Sequence, residues 1–129
     1  MQQILAMGKY PVFTTEISKT QTTFKTVDEI IEYLKTKVDA HPMCGFISIF
    51  DHYTHTKSIG GQIPADLLDI KNIMFCFGPQ VPAPEIVAVR PRSIGVTEKA
   101  GSFIVNFMEA PGAMPNQAMI EWVSSISNA

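Results

Sequence analysis

The amino-acid sequence predicts an α+β fold, in which one mostly antiparallel sheet carries its helices on one face. Three observations lead to this expectation. A capped amphipathic helix follows the first strand-like run, about four strand-like segments come after it, and an apolar helical stripe lies near the end of the chain. The predicted order is therefore β-α-β-β-β-β-α.

The length of the chain fits a single domain. A chain of 129 residues buries roughly two-thirds of its unfolded surface and needs no disulfide or metal to hold its core. Met7-Gly8-Lys9 is a plausible alternative start, so we expect residues 1–9 to form a loose N-terminal extension and residues 10–129 to form the domain. We see no internal repeat and no linker.

The first strand and the first helix have clear local signals. Residues 10–17, YPVFTTEI, are rich in β-branched and aromatic side chains, and Pro11 places their beginning at an edge or a strand end. Thr26 and Glu29 have the spacing of a capping box. An apolar stripe at helical spacing follows until His41-Pro42, which predicts a helix lying on a sheet.

Residues 44–50, CGFISIF, are apolar on both faces, which indicates a central strand whose second face could be covered by another subunit. A helical turn is expected within 63–69 and a short strand over 72–77. The proline-rich segment GPQVPAPE then predicts an irregular, extended connection.

The remaining strands form a hairpin. Residues 86–89 and 93–98 are strand-like and are interpreted as one bent strand, which a loop at 99–101 joins to a partner strand at 102–108. Pro115 fits the first position of a closing helix, which has an apolar stripe of Met119, Trp122, Val123 and Ile126.

Composition excludes several classes of function. A net charge of −2, with ten scattered Lys and Arg residues, argues against nucleic-acid binding. No apolar run approaches the roughly 20 residues of a membrane span, and MQQILAM is not a signal peptide, so we expect a cytoplasmic protein without a membrane partner. Cys44 and Cys76 lie in apolar runs and are interpreted as small hydrophobes, with a redox or ligand role and a disulfide as the alternatives.

The segment DHYTHTKS, residues 51–58, is the first candidate site. Asp51 can cap a short helix that Gly60-Gly61 stops, and that helix would bring His52 and His55 to one side. The pair is either a proton-accepting or ligand-binding site, or only part of the capping and packing.

A metal site at His52 and His55 would need further ligands. The available side chains are Cys44, Cys76 and Asp51, together with His41, and none has a spacing typical of zinc. We therefore predict no cofactor and keep the two histidines only as candidate metal ligands.

Arg90 and Arg92 form the second candidate site. Residues two apart in an extended segment point to the same face, so the two guanidinium groups could hold a carboxylate or a phosphate. The alternative is a solvated pair answered by Glu98 or Glu109.

Four segments read in order carry a resemblance: TVDEIIEYLKTKV, FISIFDH, MFCFGPQ and SIGVTEKAGSFIVNFMEAP. Together they resemble a bacterial family of small domains of unknown function, or a distant sister of it. The resemblance implies a compact β-α-β-β-β-β-α fold and no established activity. It matches Asp51-His52 to the family's Asp-His and Phe77-Gly78 to its Phe-Gly, whereas Pro79-Gln80 and Arg90-Pro91 depart from the family pattern.

Three hypotheses about function follow. The first is a non-enzymatic, homodimeric domain that binds a small ligand, such as an anion, or a partner near Asp51, His52, His55 and Gly78. The second is a small enzyme in which Asp51 orients His52 as the general base while Arg90 or Arg92 holds an anionic substrate. The third is a metal-binding protein that uses His52 and His55.

Overall fold

A six-stranded sheet organises residues 1–128, the part of the chain that this computed structural model describes. Its strands are β1 (Gln2–Ala6), β2 (Tyr10–Ser18), β3 (Cys44–Phe50), β4 (Asp69–Phe77), β5 (Arg92–Glu98) and β6 (Ser102–Met108). The α-helices are α1 (Val27–Ala40), α2 (His52–Ser58) and α3 (Ala113–Ser124), and 3-10 helices cover Lys19–Gln21 and Pro84–Val89. The α+β class and the mostly antiparallel sheet are confirmed.

The strand order across the sheet is β1-β2-β6-β5-β4-β3, and every neighbouring pair is antiparallel. Alternate residues of β4, β5 and β6 face α1 and α3 and form the core with them. The members of this core that are fully shielded from solvent include Ile73, Phe75, Ile94, Val96 and Phe103. The outward residues of the same strands lie on a face that the two long helices do not cover.

The predicted helix over residues 27–40 is confirmed in detail. The Thr26 hydroxyl accepts a hydrogen bond from the backbone N–H of Glu29 at 3.1 Å, and the Glu29 carboxylate accepts one from the N–H of Lys25 at 3.1 Å. These bonds satisfy donors that the start of a helix leaves unpaired. The whole apolar stripe is buried: Val27, Ile30, Ile31, Leu34 and Val38.

The closing helix α3 packs against the same face. Trp122 stacks on Phe77 with 5.7 Å between ring centroids and meets Phe75 edge-on. The helix begins at Ala113, two residues before the predicted start at Pro115. The Asn116 side chain, which bonds both the N–H and the C=O of Ala110, holds this start in place.

The N-terminal segment differs from the expectation of a loose extension over residues 1–9. Gln2–Ala6 form β1, which pairs with β2 from Gln2 opposite Thr14 to Ala6 opposite Tyr10. The turn between them has Met7 and Gly8 at positive φ. The short run QQILA has no strand pattern of its own, and its backbone partners are supplied by β2.

β3 corrects the prediction of a central strand, because it lies at the edge of the sheet. Its apolar composition is explained by α1, which covers it near Phe46, while Ile47 and Ile49 remain more than two-fifths exposed. The ladder to β4 shifts register between Phe46 and Ser48. An irregularity of this kind discourages edge-to-edge pairing with other chains.

Two loop predictions are also corrected. The segment predicted as the first part of a bent strand, residues 86–89, belongs to the 3-10 helix Pro84–Val89, because Pro84 fixes a helical φ at its first position. Within residues 63–69 the predicted helical turn is a single hydrogen-bonded turn, in which the Leu67 N–H donates to the Pro64 carbonyl at 3.0 Å, and no helix forms. β4 begins at Asp69 instead of the predicted residue 72.

Candidate functional site

Asp51 is placed by the end of β3 and serves as the N-cap of α2. Its carboxylate accepts hydrogen bonds from the Thr54 backbone N–H and the Thr54 hydroxyl, both at 3.0 Å. The bond from the backbone N–H lowers the pKa of the Asp51 carboxyl, because it stabilises the ionised form. Gly60, at a φ of +75°, follows the helix as predicted.

His52 and His55 are both exposed and both lie against one aromatic ring. Each imidazole has its centroid 5.2 Å from that of Phe50. His52 Nδ1 is 3.4 Å from Oδ1 of Asn72, which belongs to the outward face of β4. The helix therefore brings the two histidines to one side, but on open surface and against a hydrophobic ring.

Gly78, Arg90 and Arg92 meet at a different place, at the end of β4. They line a cavity of about 330 Å³ whose other walls are mostly apolar and include Phe77 and Val89. Gly78 has a φ of +86°, and an ideal Cβ there would lie 2.8 Å from one Nη atom of Arg90. Gly78 thus allows both the turn after β4 and the close approach of the guanidinium group.

Both arginines donate hydrogen bonds to backbone carbonyl groups. Arg90 donates to Gln80, and Arg92 donates to Val89 and Met108. A guanidinium group has five N–H donors, so both retain donors for a further acceptor. Within residues 1–128, no carboxylate forms an ion pair with either arginine.

The acids proposed as alternative partners of the arginines are engaged elsewhere. Glu98 forms a 2.6 Å ion pair with Lys19, and Glu109 accepts a hydrogen bond from Gln3. Burial lowers the pKa of the Arg92 guanidinium, because desolvation disfavours its charge. A bound anion would offset that cost, since it would supply the missing opposite charge.

The two candidate sites do not come together. His52 lies beside Asn72 and the arginines lie beside Gly78, and the six residue steps from Asn72 to Gly78 span about 20 Å in an extended strand. Among residues 1–128, no group of three or more His, Cys, Asp or Glu side chains is arranged to hold a metal ion.

Sequence reasoning missed part of the cavity wall. Ile86 and Val89 reach it from the 3-10 helix, and Met114 and Pro115 reach it from the start of α3. The only local signals for this wall are the prolines at 84, 111 and 115, which show where the chain turns but not which segments meet.

The two cysteines are free thiols of intermediate burial. Burial, together with the neighbouring Cys76, raises the pKa of the Cys44 thiol to about 11. A thiol in this state is a poor nucleophile near neutral pH, because the thiolate is the reactive form.

Comparison with known proteins gives the family of the chain. The model of DUF6858, a family of unknown function, matches residues 1–128. The chain therefore belongs to this family, which confirms the predicted membership of a family without an established activity. None of the helices formed by residues 1–128 is long and apolar enough to cross a membrane.

One similar solved structure is that of an uncharacterized conserved protein, DUF302, from Bacillus stearothermophilus. It has 18% sequence identity and a TM-score of 0.53, over 89% of this chain and 88% of that one. At this identity the similarity shows a shared fold and nothing about activity. A search of curated proteins gave no match.

Proposed function

We propose that the protein binds a small amphipathic anion in the cavity between Gly78, the two arginines and the start of α3. One observation carries this proposal: two arginines without a carboxylate partner among the described residues line a cavity that is otherwise mostly apolar. Charge of one sign inside an apolar cavity favours a ligand with an anionic head and an apolar body.

The size of the cavity limits the ligand. Its volume of about 330 Å³ lies near the lower bound of small-molecule sites, which is about 300 Å³. A short-chain carboxylate or a small aromatic acid fits this limit. The side chains of Phe77, Ile86 and Met114 offer contacts to the apolar part, while Arg90 and Arg92 face the head group.

Titration of the protein with octanoate, followed by calorimetry, tests the proposal. We expect octanoate to bind, and we expect octanol, which lacks the charge, and acetate, which lacks the chain, to bind at least about 10-fold more weakly. Arg90→Met and Arg92→Met should each weaken octanoate binding about 10-fold or more, because each removes charge-assisted hydrogen bonds.

Two variants serve as controls. Lys9→Met removes an exposed positive charge outside the cavity, and His52→Ala changes the other candidate site. Both should bind octanoate like the wild type. If Lys9→Met weakened binding as much as the arginine variants did, the effect would be one of net charge, and the cavity would not be the binding site.

We further propose that the protein acts in the cytoplasm of a bacterium. Its two free cysteines suit a reducing compartment, and the structural neighbour comes from a bacterium. Fractionation of the source cells, followed by immunoblotting, tests the location, and recovery of the protein outside the cytoplasmic fraction would contradict it.

A further inference from the structure

We infer that the outward face of β4, β5 and β6 is the interface of a homodimer, in which the same face of a second copy of this chain covers it. The inference stands independently of ligand binding in the arginine cavity. It rests on the lack of charged side chains on the outward face of these three strands, on the two amide side chains that flank Gly95, and on the area of the sheet.

The face carries no charged residue on its three central strands. The outward side chains are those of Ile, Met, Ser, Thr, Asn and Cys, with Gly95 in the middle, although the chain contains 10 Lys and Arg and 12 Asp and Glu residues. The charged residues of these strands point to the other face, where Lys71 pairs with Asp28 of α1. A sheet face that remains in water normally alternates charged and polar side chains with the core positions. Depletion of charge is instead the signature of the centre of an interface.

Two asparagines flank Gly95 on this face. Asn72 and Asn106 both pair with Gly95 in the sheet, and an ideal Cβ at Gly95 would lie 3.3 Å from Nδ2 of Asn72 and 3.2 Å from Oδ1 of Asn106. Within residues 1–128, the Asn106 amide has no hydrogen-bond partner, and Asn72 has only the 3.4 Å contact with His52. The absence of a side chain at Gly95 leaves both amides accessible from above the sheet.

This arrangement matches a second copy of itself. Consider a two-fold axis that lies between the two sheets, parallel to β5 and above Gly95. It places β4 of one protomer over β6 of its partner, and so the Asn72 amide of one over the Asn106 amide of the other. Each amide has donors and an acceptor, so both pairs can form hydrogen bonds. A neutral face also avoids the like-charge repulsion that a self-associating charged face would suffer.

The whole outward face of the sheet has the area of a dimer interface. The three strands β4, β5 and β6, about 4.8 Å apart and about seven residues long at about 3.3 Å per residue, cover roughly 330 Å², and all six strands cover roughly 650 Å². Two whole sheet faces would bury about 1,300 Å², within the range of about 1,200–2,000 Å² for specific interfaces, so the neighbouring strands form the rim of the interface around its uncharged centre. That rim includes one charged side chain of β2, Glu16, which accepts a hydrogen bond from Ser102. The short helix α2 contacts β4, and its His52 lies beside Asn72 at the β3 side of this face.

Light scattering after size-exclusion chromatography tests the inference on the full chain. The wild type should elute at twice the chain mass of 14.2 kDa. Ile104→Glu and, separately, Ile70→Lys each introduce a charge on the face and should weaken the dimer about 100-fold or more, because the charge would be buried without a partner. Leu5→Glu is the control: Leu5 is 62% exposed, on the helix-bearing side of β1, and its variant should stay dimeric.

Mixing the two charged variants tests the orientation. The two-fold axis along β5 places the partner's Ile70 over Ile104, so Ile104→Glu and Ile70→Lys together should form a heterodimer. Circular dichroism confirms that each variant is folded before it is scored. A folded wild-type monomer, or a dimer that survives both single substitutions, would overturn the interface, and a mixture that remains monomeric would overturn the axis along β5.

Discussion

Replacing Gly78 by alanine tests both the backbone and the arginine that define the cavity. The φ of Gly78 is +86°, a conformation that costs a residue with a Cβ about 1–2 kcal/mol. Alanine recovers part of this cost because it makes the unfolded chain less flexible. We expect the free energy of unfolding to fall by about 1 kcal/mol and the melting temperature by about 3–5 °C.

The new methyl group also displaces a charge. It would lie 2.8 Å from an Nη atom of Arg90, at the flexible end of that side chain, so the guanidinium group should move without a large loss of stability. We therefore expect octanoate affinity to fall about 10-fold in Gly78→Ala, the same loss that we expect for Arg90→Met. The double variant should bind no more weakly than either single variant, because both changes remove the same contact.

Urea unfolding and calorimetric titration measure the two effects separately. Gly101→Ala is the matched control, since Gly101 has no positive φ and nothing within 4 Å of its ideal Cβ. Its unfolding free energy should stay within about 0.5 kcal/mol of the wild type. If Gly78→Ala were as stable as Gly101→Ala and bound octanoate normally, the described turn and the position of Arg90 would both be refuted.

Three further predictions concern the helix starts and the core. Thr26→Ala should lower the free energy of unfolding by about 1 kcal/mol in urea titrations, because it removes the N-cap of α1. Asp51→Asn preserves a capping side chain but not the carboxylate. Because the pKa of Asp51 is lowered in the folded state, the ionised carboxylate stabilises the fold above the unfolded-state pKa of about 3.9. This stabilisation is lost as the pH falls through the lower folded-state pKa. The Asn variant should therefore lose less stability than the wild type on acidification from about pH 5. Phe75→Ala should cost about 3–5 kcal/mol, since Phe75 is fully buried, whereas Leu68→Ala, at a position 48% exposed, should change stability by less than about 0.5 kcal/mol in the same assay.

Local signals in the sequence predict the elements that local interactions stabilise. The capping box of α1 and its apolar stripe use contacts within one helix or with any apolar sheet, so their pattern is sufficient. The hairpin of β5 and β6 follows from two strand-like runs and a short loop for the same reason.

The predictions that were wrong concern elements whose position depends mainly on residues distant in the sequence. β1 depends on β2 for its hydrogen bonds, and the position of β3 at the sheet edge depends on the order in which six strands assemble. The apolar composition of β3 does not show which of its side chains are covered: Phe46 packs against the core, whereas Ile47 and Ile49 remain exposed. The segment over 86–89 has strand-like residues, and the preceding Pro84 outweighs that preference.

The candidate site residues also show which features local spacing predicts and which depend on distant residues. The spacing of Arg90 and Arg92 predicts that both can reach one place, and both line the cavity beside Gly78. Glu98 lies at the other end of β5 from Arg92, about 20 Å along the strand, and its ion-pair partner Lys19 comes from a distant part of the sequence. No local pattern contains this information.

The rigidity of β4 bears on any function that would combine the two candidate sites. β4 is hydrogen-bonded to β3 on one side and β5 on the other. The roughly 20 Å of chain between Asn72, which lies beside His52, and Gly78, which lies beside Arg90, therefore cannot shorten without breaking the sheet. A molecule small enough for a cavity of about 330 Å³ does not reach from one to the other within a single chain. The geometry therefore gives no support to an enzyme in which His52 acts on a substrate held by the arginines. His52 instead lies beside Asn72, one of the two amides that form the proposed dimer contact, so His52→Ala should change dimer stability while octanoate binding is unchanged.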